Sequence, residues 1–144
     1  MTEVEFHTGV ADPLAYACRL LRKASKRGVR VLVTAPAARL ARLDRALWDF
    51  EDLEFLPHVR MPGASAAVAA RTPIWLAERA GVAGQPALVL NLGAAMPVEL
   101  GTLERLIEVI STQAEEVAAG RERWRAYQAL GLPTRHHAPG ASVA

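Results

Sequence analysis

The sequence has one cysteine in 144 residues, no apolar run that approaches the length of a membrane span, and no glycine-rich phosphate-binding motif. A single cysteine excludes an internal disulfide, and the position of Cys18 in a helical apolar pattern predicts a buried, unreactive thiol. A spanning helix needs about 20 apolar residues, and the first residues lack the basic and then apolar segments of a signal peptide. We therefore expect a cytoplasmic protein without membrane contact.

The absence of a glycine-rich pattern is most informative in the turns that follow the first two predicted strands. These turns read HTGVADP and TAPAAR, and neither contains the glycines that allow a backbone to approach a pyrophosphate. The P-loop pattern GxxxxGK[ST] is also absent from the sequence. These absences argue against a bound dinucleotide or a phosphate-cradling site, and we predict no cofactor.

The net charge of +2 is small for a protein whose main task is to hold nucleic acid. Basic residues cluster on the first predicted helix, where a solvated face is the simpler interpretation. We therefore expect contact with nucleic acid only indirectly. Direct binding of single-stranded nucleic acid, through basic residues of the first and second predicted helices and exposed aromatic rings, is retained as an alternative.

Strands and helices alternate at short spacing along most of the chain. This order predicts an α/β protein with a three-layer, Rossmann-like arrangement: a mainly parallel sheet with helices on both faces. We predict a single domain over residues 1–133, a flexible tail over residues 134–144 and a surface loop over residues 61–71. The predicted strands cover residues 3–7, 29–34, 53–56, 73–76 and 87–92. One predicted helix begins at residue 13, and three others cover residues 39–49, 103–110 and 113–130.

The segment from residue 39 to residue 58 contains two aromatic residues of interest. Its leucines at positions 40, 43 and 47 form a core-facing helical stripe, and Trp48 lies at the margin of that stripe. Phe55 follows in a short apolar run that ends at Pro57. Periodicity alone favours the simplest interpretation, in which Trp48 and Phe55 fill the core.

The last predicted helix carries an unusual face. Arg121, Trp124, Arg125 and Gln128 fall within about 100° of one another on a helical wheel, while Tyr127 and Leu130 lie on the other side. Two guanidinium groups beside an indole suit a ligand with both a carboxylate and an aromatic ring. The alternative is a solvated helix whose tryptophan packs on a neighbouring element.

Histidines could suggest catalysis or a metal. His58 follows a predicted strand end, so a small α/β transferase or hydrolase that uses His58 is a second alternative, although no nucleophile or acid partner can be named. A hydrogen-bonded structural histidine is the favoured interpretation. His136 and His137 lack the spacing of helical metal ligands and no cysteine pair accompanies them, so we predict no metal site.

Four segments occur in an order that resembles a known family: RLDRALW, FLPH, LERLIEVI and RERWRAYQALG. Together they identify residues 3–132 as similar to the chi subunit of bacterial DNA polymerase III. The resemblance implies a Rossmann-like fold without nucleotide binding and a non-catalytic role in DNA replication, within the clamp-loader assembly. It also implies that the chain binds the acidic, Phe-terminated C-terminal tail of single-stranded DNA-binding protein and, where it exists, the psi subunit.

The resemblance also implies roles for individual residues. Trp48 and Phe55 would wall the apolar part of the peptide pocket, Arg121 and Arg125 would meet the carboxylates of the peptide, and Trp124 stands where the family commonly has another aromatic residue. We therefore expect these five side chains to surround a single hollow. If so, one peptide would contact all of them.

Overall fold

The computed structural model describes residues 1–49 and 56–137 of the chain. The strands among them form one seven-stranded sheet in which every strand pairing is parallel. The strand order across the sheet is β3-β4-β2-β5-β6-β1-β7. In chain order the elements are β1 (Glu3–Val10), α1 (Pro13–Lys26), β2 (Val31–Thr34), α2 (Ala37–Asp49), β3 (His58–Arg60), α3 (Ala66–Arg71), β4 (Ile74–Ala77), β5 (Leu88–Asn91), β6 (Arg105–Ser111), α4 (Ala114–Ala129) and β7 (Thr134–His137).

Helices cover both faces of the sheet, which confirms the predicted α/β class. On one face, α1 and α2 pack through residues such as Leu21 and Leu43 against side chains of the central strands. On the other face, α3 and α4 pack through Ala69 and Tyr127 against a second apolar cluster. The central strand β2 is buried at every position, as a parallel strand covered on both sides must be.

The predicted helix over residues 103–110 is wrong, because this segment forms strand β6. Leu106 and Ile110 pack into the cluster under α4, whereas Ile107 and Val109 pack into the cluster under α1 and α2. Successive side chains thus point to opposite faces. A strand buried on both sides shows a nearly continuous apolar run, and here its spacing also fits a helical stripe. Glu108 shares the face of β6 that α4 covers, and it is 0% exposed.

Three further segments differ from the predictions. The predicted loop over residues 61–71 contains α3, whose first turn is capped when the Ser65 hydroxyl accepts from the Val68 amide. Residues Thr134–His137, predicted to belong to a flexible tail, form the edge strand β7 and pair with β1. The predicted strand over residues 53–56 lies mostly outside the described residues, and the observed strand here is β3.

The absence of a side chain at Gly120 determines how closely α4 packs on the sheet. A Cβ atom added at Gly120 of α4 would lie 2.8 Å from Ile110 Cδ1 of β6, so the missing side chain allows a close approach of helix and strand.

Cys18 of α1 is buried as predicted, and burial raises the pKa of its thiol to about 11. None of the helices in the described part of the chain has both the length and the apolar character that crossing a bilayer requires.

Candidate functional site

Helix α4 exposes Arg121 and Arg125 because Tyr127 anchors the opposite side of the helix. Tyr127 is 0% exposed, and its hydroxyl donates to Glu108 Oε2 over 2.7 Å. Glu115 and Glu116 occupy the first turn of the helix, where negative charge is favourable. With the buried side fixed, Arg121 and Arg125 are exposed, one turn apart.

A hollow of about 530 Å³ lies between α4 and the strands β1, β6 and β7. Trp124 forms one wall and packs edge-on against Phe6, with ring centroids 5.0 Å apart. We name this hollow the α4 pocket; its lining residues are Phe6, Thr8, Ile110, Val117, Gly120, Arg121, Trp124 and His136. Its volume is within the range of ordinary ligand sites.

The α4 pocket combines an apolar interior with a cationic rim. Phe6 and Ile110 are buried and belong to the core on this side of the sheet. Arg121 is exposed at the pocket, and the exposed His136 of β7 hydrogen-bonds through Nε2 to the Thr8 hydroxyl. None of the lining residues that the structure describes is acidic. Such a site can take an apolar group inside and hold a carboxylate at its edge.

A buried polar network lies behind α4. Glu108 accepts from Arg123 Nε over 3.1 Å through one oxygen, and from Tyr127 and Asn91 through the other. Burial raises the pKa of Glu108, and the three partners oppose that shift. Thr34 in turn donates to Asn91. The network connects α4 to three central strands and so supports the α4 pocket from behind.

Trp48 lies elsewhere. It is 63% exposed at the end of α2, and its ring packs edge-on against His58 at a centroid distance of 5.6 Å. His58 belongs to β3, at the edge of the sheet opposite to β7. Helix α2 also covers the face of the sheet that α4 does not.

Among the described residues, the structure therefore does not bring Trp48 into one hollow with Arg121, Trp124 and Arg125. Trp124 packs on β1, and five interstrand spacings separate β1 from β3, roughly 24 Å across the sheet. Arg121 and Arg125 are exposed on α4, whereas Trp124 is half-buried and packs on Phe6, which is the packing that the alternative interpretation of this helix described. Trp48 cannot contact a ligand that fills the α4 pocket, and Phe55 lies outside the described residues.

His58 is held within the fold. Its Nε2 atom lies 2.6 Å from Asp44 Oδ1 and its Nδ1 atom lies 2.8 Å from the Leu56 carbonyl oxygen. The side chain is 2% exposed. Both ring nitrogens are therefore engaged and nearly shielded from solvent, and the ring joins β3 to α2 and supports Trp48.

Several residues of the α4 pocket were not among the predicted site residues. Phe6 and Thr8 were assigned only to a strand and its turn, and His136 to a flexible tail. Alternation along β1 could have placed Phe6 and Thr8 on one face. The contribution of His136 depends on β7 pairing with β1, which the sequence pattern did not predict.

Potential metal ligands also come together at this edge of the sheet, on its other face. Within the described residues, Glu5, His7 and His137 each offer a ligand atom, and these atoms lie within 4.8 Å of one another. The two neighbouring histidines of β7 thus have different surroundings: His136 lines the α4 pocket and His137 joins this cluster.

Comparison with known proteins gives consistent results. Among solved structures, the chain is similar to "Mss116p DEAD-box helicase domain 2 bound to an RNA duplex", with a TM-score of 0.60, 16% identity, and coverage of 99% of this chain and 66% of that one. At that identity the likeness concerns the fold alone. A curated relative, "DNA polymerase III subunit chi" of Pseudomonas aeruginosa, is 31% identical over 95% of this chain and 96% of its own length. Residues 1–135 match the family model described as DNA polymerase III chi subunit, HolC, so the chain belongs to that family.

Proposed function

We propose that this chain is a non-catalytic accessory subunit of DNA polymerase III that captures the acidic C-terminal tail of single-stranded DNA-binding protein in the α4 pocket. Membership of the chi family implies association with the clamp-loader complex. A role on the replication machinery also agrees with the cytoplasmic location expected from the sequence. The observation that carries the proposal is the exposed Arg121 at an apolar hollow walled by Trp124 and Phe6.

The chemistry of such a tail fits the α4 pocket. A terminal phenylalanine offers an aromatic ring for the apolar interior, where Trp124 and Phe6 already form an edge-to-face pair. Its carboxylate and the preceding acidic side chains would pair with Arg121 and Arg125, which project from successive turns of one helix face. The imidazole of His136 also lines the rim.

We propose a second contact surface around Trp48 for the link to the clamp loader, through the psi subunit where one exists. A bridging protein must hold two partners at once, so two separate surfaces suit this role better than one. Trp48 exposes 63% of its surface while His58 supports its ring from below. Tryptophan is enriched among residues that dominate protein–protein binding, and a side chain anchored in this way loses little entropy on contact.

Titration calorimetry with a synthetic acidic peptide that ends in Pro-Phe tests the proposed tail binding. We expect micromolar affinity, about −8 kcal/mol, because a short peptide buries little surface. Affinity should fall as salt is added, since the ion pairs lie at an exposed rim. The same peptide without its last residue is the matched control and should bind much more weakly. Equal binding of both peptides would contradict the proposal.

The two alternatives predict different results. Direct recognition of nucleic acid predicts that a single-stranded oligonucleotide binds and that the acidic peptide does not compete with it. An enzyme that uses His58 predicts loss of its activity in a His58→Gln variant, but both ring nitrogens are already engaged by Asp44 and Leu56. The peptide proposal is favoured because the α4 pocket presents apolar and cationic groups together.

A further inference from the structure

We propose that Glu5, His7 and His137 form a binding site for a divalent transition-metal ion at the edge of the sheet where β7 pairs with β1. One carboxylate oxygen and two imidazole nitrogens are ligands that suit Zn²⁺ and its neighbours in the first transition row. The site lies on the face covered by α1, opposite to the α4 pocket. It is therefore independent of the proposed peptide binding.

The backbone brings the three ligands together. Glu5 and His7 are two residues apart on β1 and so point to the same face, and His137 of β7 is the register partner of His7. The ligand atoms lie within 4.8 Å of one another, and His137 Nε2 is 3.1 Å from Glu5 Oε1. Bonds of about 2.1 Å in a tetrahedral site place two ligand atoms roughly 3.4 Å apart. One edge of the required tetrahedron thus already exists, and small side-chain movements would complete it.

His7 supplies the second, independent observation. The residue is only 8% exposed, and its Nε2 atom is buried without a hydrogen-bond partner among the described residues. A buried polar atom in this state is unfavourable unless something else satisfies it. The neighbouring ring of His137 is 4.8 Å away between centroids. A metal ion between the two rings would satisfy this nitrogen.

The other ring nitrogen of His7 is already oriented. His7 Nδ1 hydrogen-bonds to the Tyr16 hydroxyl of α1. When His7 Nε2 binds a metal, Nδ1 carries the proton and donates it to the Tyr16 oxygen. Metal-binding histidines commonly have such a partner, because it fixes the tautomer and the orientation of the ring.

The two oxygens of Glu5 have separate roles. Oε1 faces His137, whereas Oε2 pairs with the Arg105 guanidinium of β6. Arg105 thus holds the carboxylate in position without occupying the oxygen directed at His137. A cleft of about 200 Å³ between the sheet and α1 adjoins all three ligands. It provides a path for the ion and room for a water molecule at the fourth position.

Binding of Zn²⁺ to the full chain, produced without a histidine tag and treated with a chelator, tests the proposal. We expect calorimetry to show one ion per chain, and Co²⁺ to give the visible absorption of a tetrahedral site. Glu5→Gln and His137→Ala should each weaken Zn²⁺ binding at least about tenfold. His136→Ala is the matched control, because it removes the neighbouring imidazole on the other face, and it should leave affinity within about twofold.

A Tyr16→Phe variant tests whether metal binding depends on the orientation of His7 by the Tyr16 hydroxyl. It keeps all three ligands but removes the partner of His7, so Zn²⁺ binding should weaken by roughly 10- to 100-fold. Circular dichroism of each variant without metal checks that the fold is retained, and Zn²⁺ should raise the melting temperature of the unmodified chain but not of His137→Ala. Absence of Zn²⁺ binding by the unmodified chain, or equal weakening by His136→Ala and His137→Ala, would overturn the proposal. Neither result would affect the proposed peptide binding.

Discussion

Arg39 and Glu116 form a bidentate ion pair that joins helices on opposite faces of the sheet. Arg39 of α2 donates from Nη1 to Glu116 Oε1 over 3.1 Å and from Nη2 to Oε2 over 2.9 Å. Arg39 Nη1 also donates to the carbonyl oxygen of Leu92. Gly93, at a φ of +97°, allows this approach, since a Cβ atom there would lie 3.1 Å from Arg39 Nη1. The pair therefore links the first turns of α2 and α4 next to the carboxyl ends of β2 and β6.

This pair should make stability depend on pH in the acid range. The Arg39 hydrogen bonds lower the pKa of Glu116 below its ordinary value of 4.5, although partial burial opposes the shift. A lowered carboxyl pKa contributes stability that is present above 4.5 and is lost as pH falls through the folded-state pKa. We expect Glu116→Gln to lower the free energy of unfolding by about 1–2 kcal/mol at neutral pH, and by less in acid.

Denaturant unfolding at a series of pH values measures this difference. Glu115→Gln is the matched control, because Glu115 also lies in the first turn of α4 and is exposed. Its substitution should change only the weak interaction with the helix dipole. Equal, pH-independent effects of the two substitutions would show that the Arg39 pair contributes nothing specific.

Removal of the Tyr127 hydroxyl should destabilise the buried network under α4. Tyr127→Phe keeps the ring that packs near Phe6, but it takes one donor from the fully buried Glu108 carboxylate. We expect the free energy of unfolding to fall by about 1–3 kcal/mol, the usual cost of losing a hydrogen bond to a buried charged group. Chemical denaturation measures this change, and a loss below about 0.5 kcal/mol would contradict it.

Gly120→Ala should destabilise the packing of α4 on β6. The new methyl group would lie 2.8 Å from Ile110 Cδ1 and 3.2 Å from Ile110 Cγ1. Overpacking typically costs about 1–3 kcal/mol, and the better helix propensity of alanine returns roughly 1 kcal/mol, so we expect a net loss of up to about 2 kcal/mol. Combination with Ile110→Val removes the Cδ1 atom and should recover part of the loss. A cycle without coupling between the two positions would refute this explanation.

Substitutions on the two proposed surfaces should separate the two partners. Arg121→Ala should weaken binding of the acidic peptide by about 1–3 kcal/mol, whereas Trp48→Ala should leave that affinity unchanged. Contact with the clamp loader or psi should show the reverse pattern in a pull-down or calorimetry experiment. Arg71→Ala of α3 is a charge-matched control on the same face of the sheet as α4. Weaker peptide binding by Trp48→Ala would contradict this separation and would support one peptide site that includes both Trp48 and Arg121.

Local patterns predicted most elements of this fold because they depend on neighbouring residues. Asp12 and Pro13 begin α1 as expected, since the Asp12 side chain accepts from the Ala15 amide. The apolar runs of β2, β4 and β5 indicated strands, and strands form there. The helical face of Arg121, Trp124 and Arg125 was also identified from spacing alone. The helix predicted over residues 103–110 was wrong because the apolar run of a strand covered on both faces does not alternate, so periodicity cannot distinguish it from a helix.

The sequence by itself determined the α/β class, the face of α4, the absence of a nucleotide motif and, through ordered segments, membership of the chi family. Only the tertiary structure decided which of these residues are neighbours. Strand order depends on contacts between residues far apart in the chain, and no local period encodes it. That order puts Trp48 and Arg121 at opposite edges and on opposite faces of the sheet, and it brings His7 and His137 side by side.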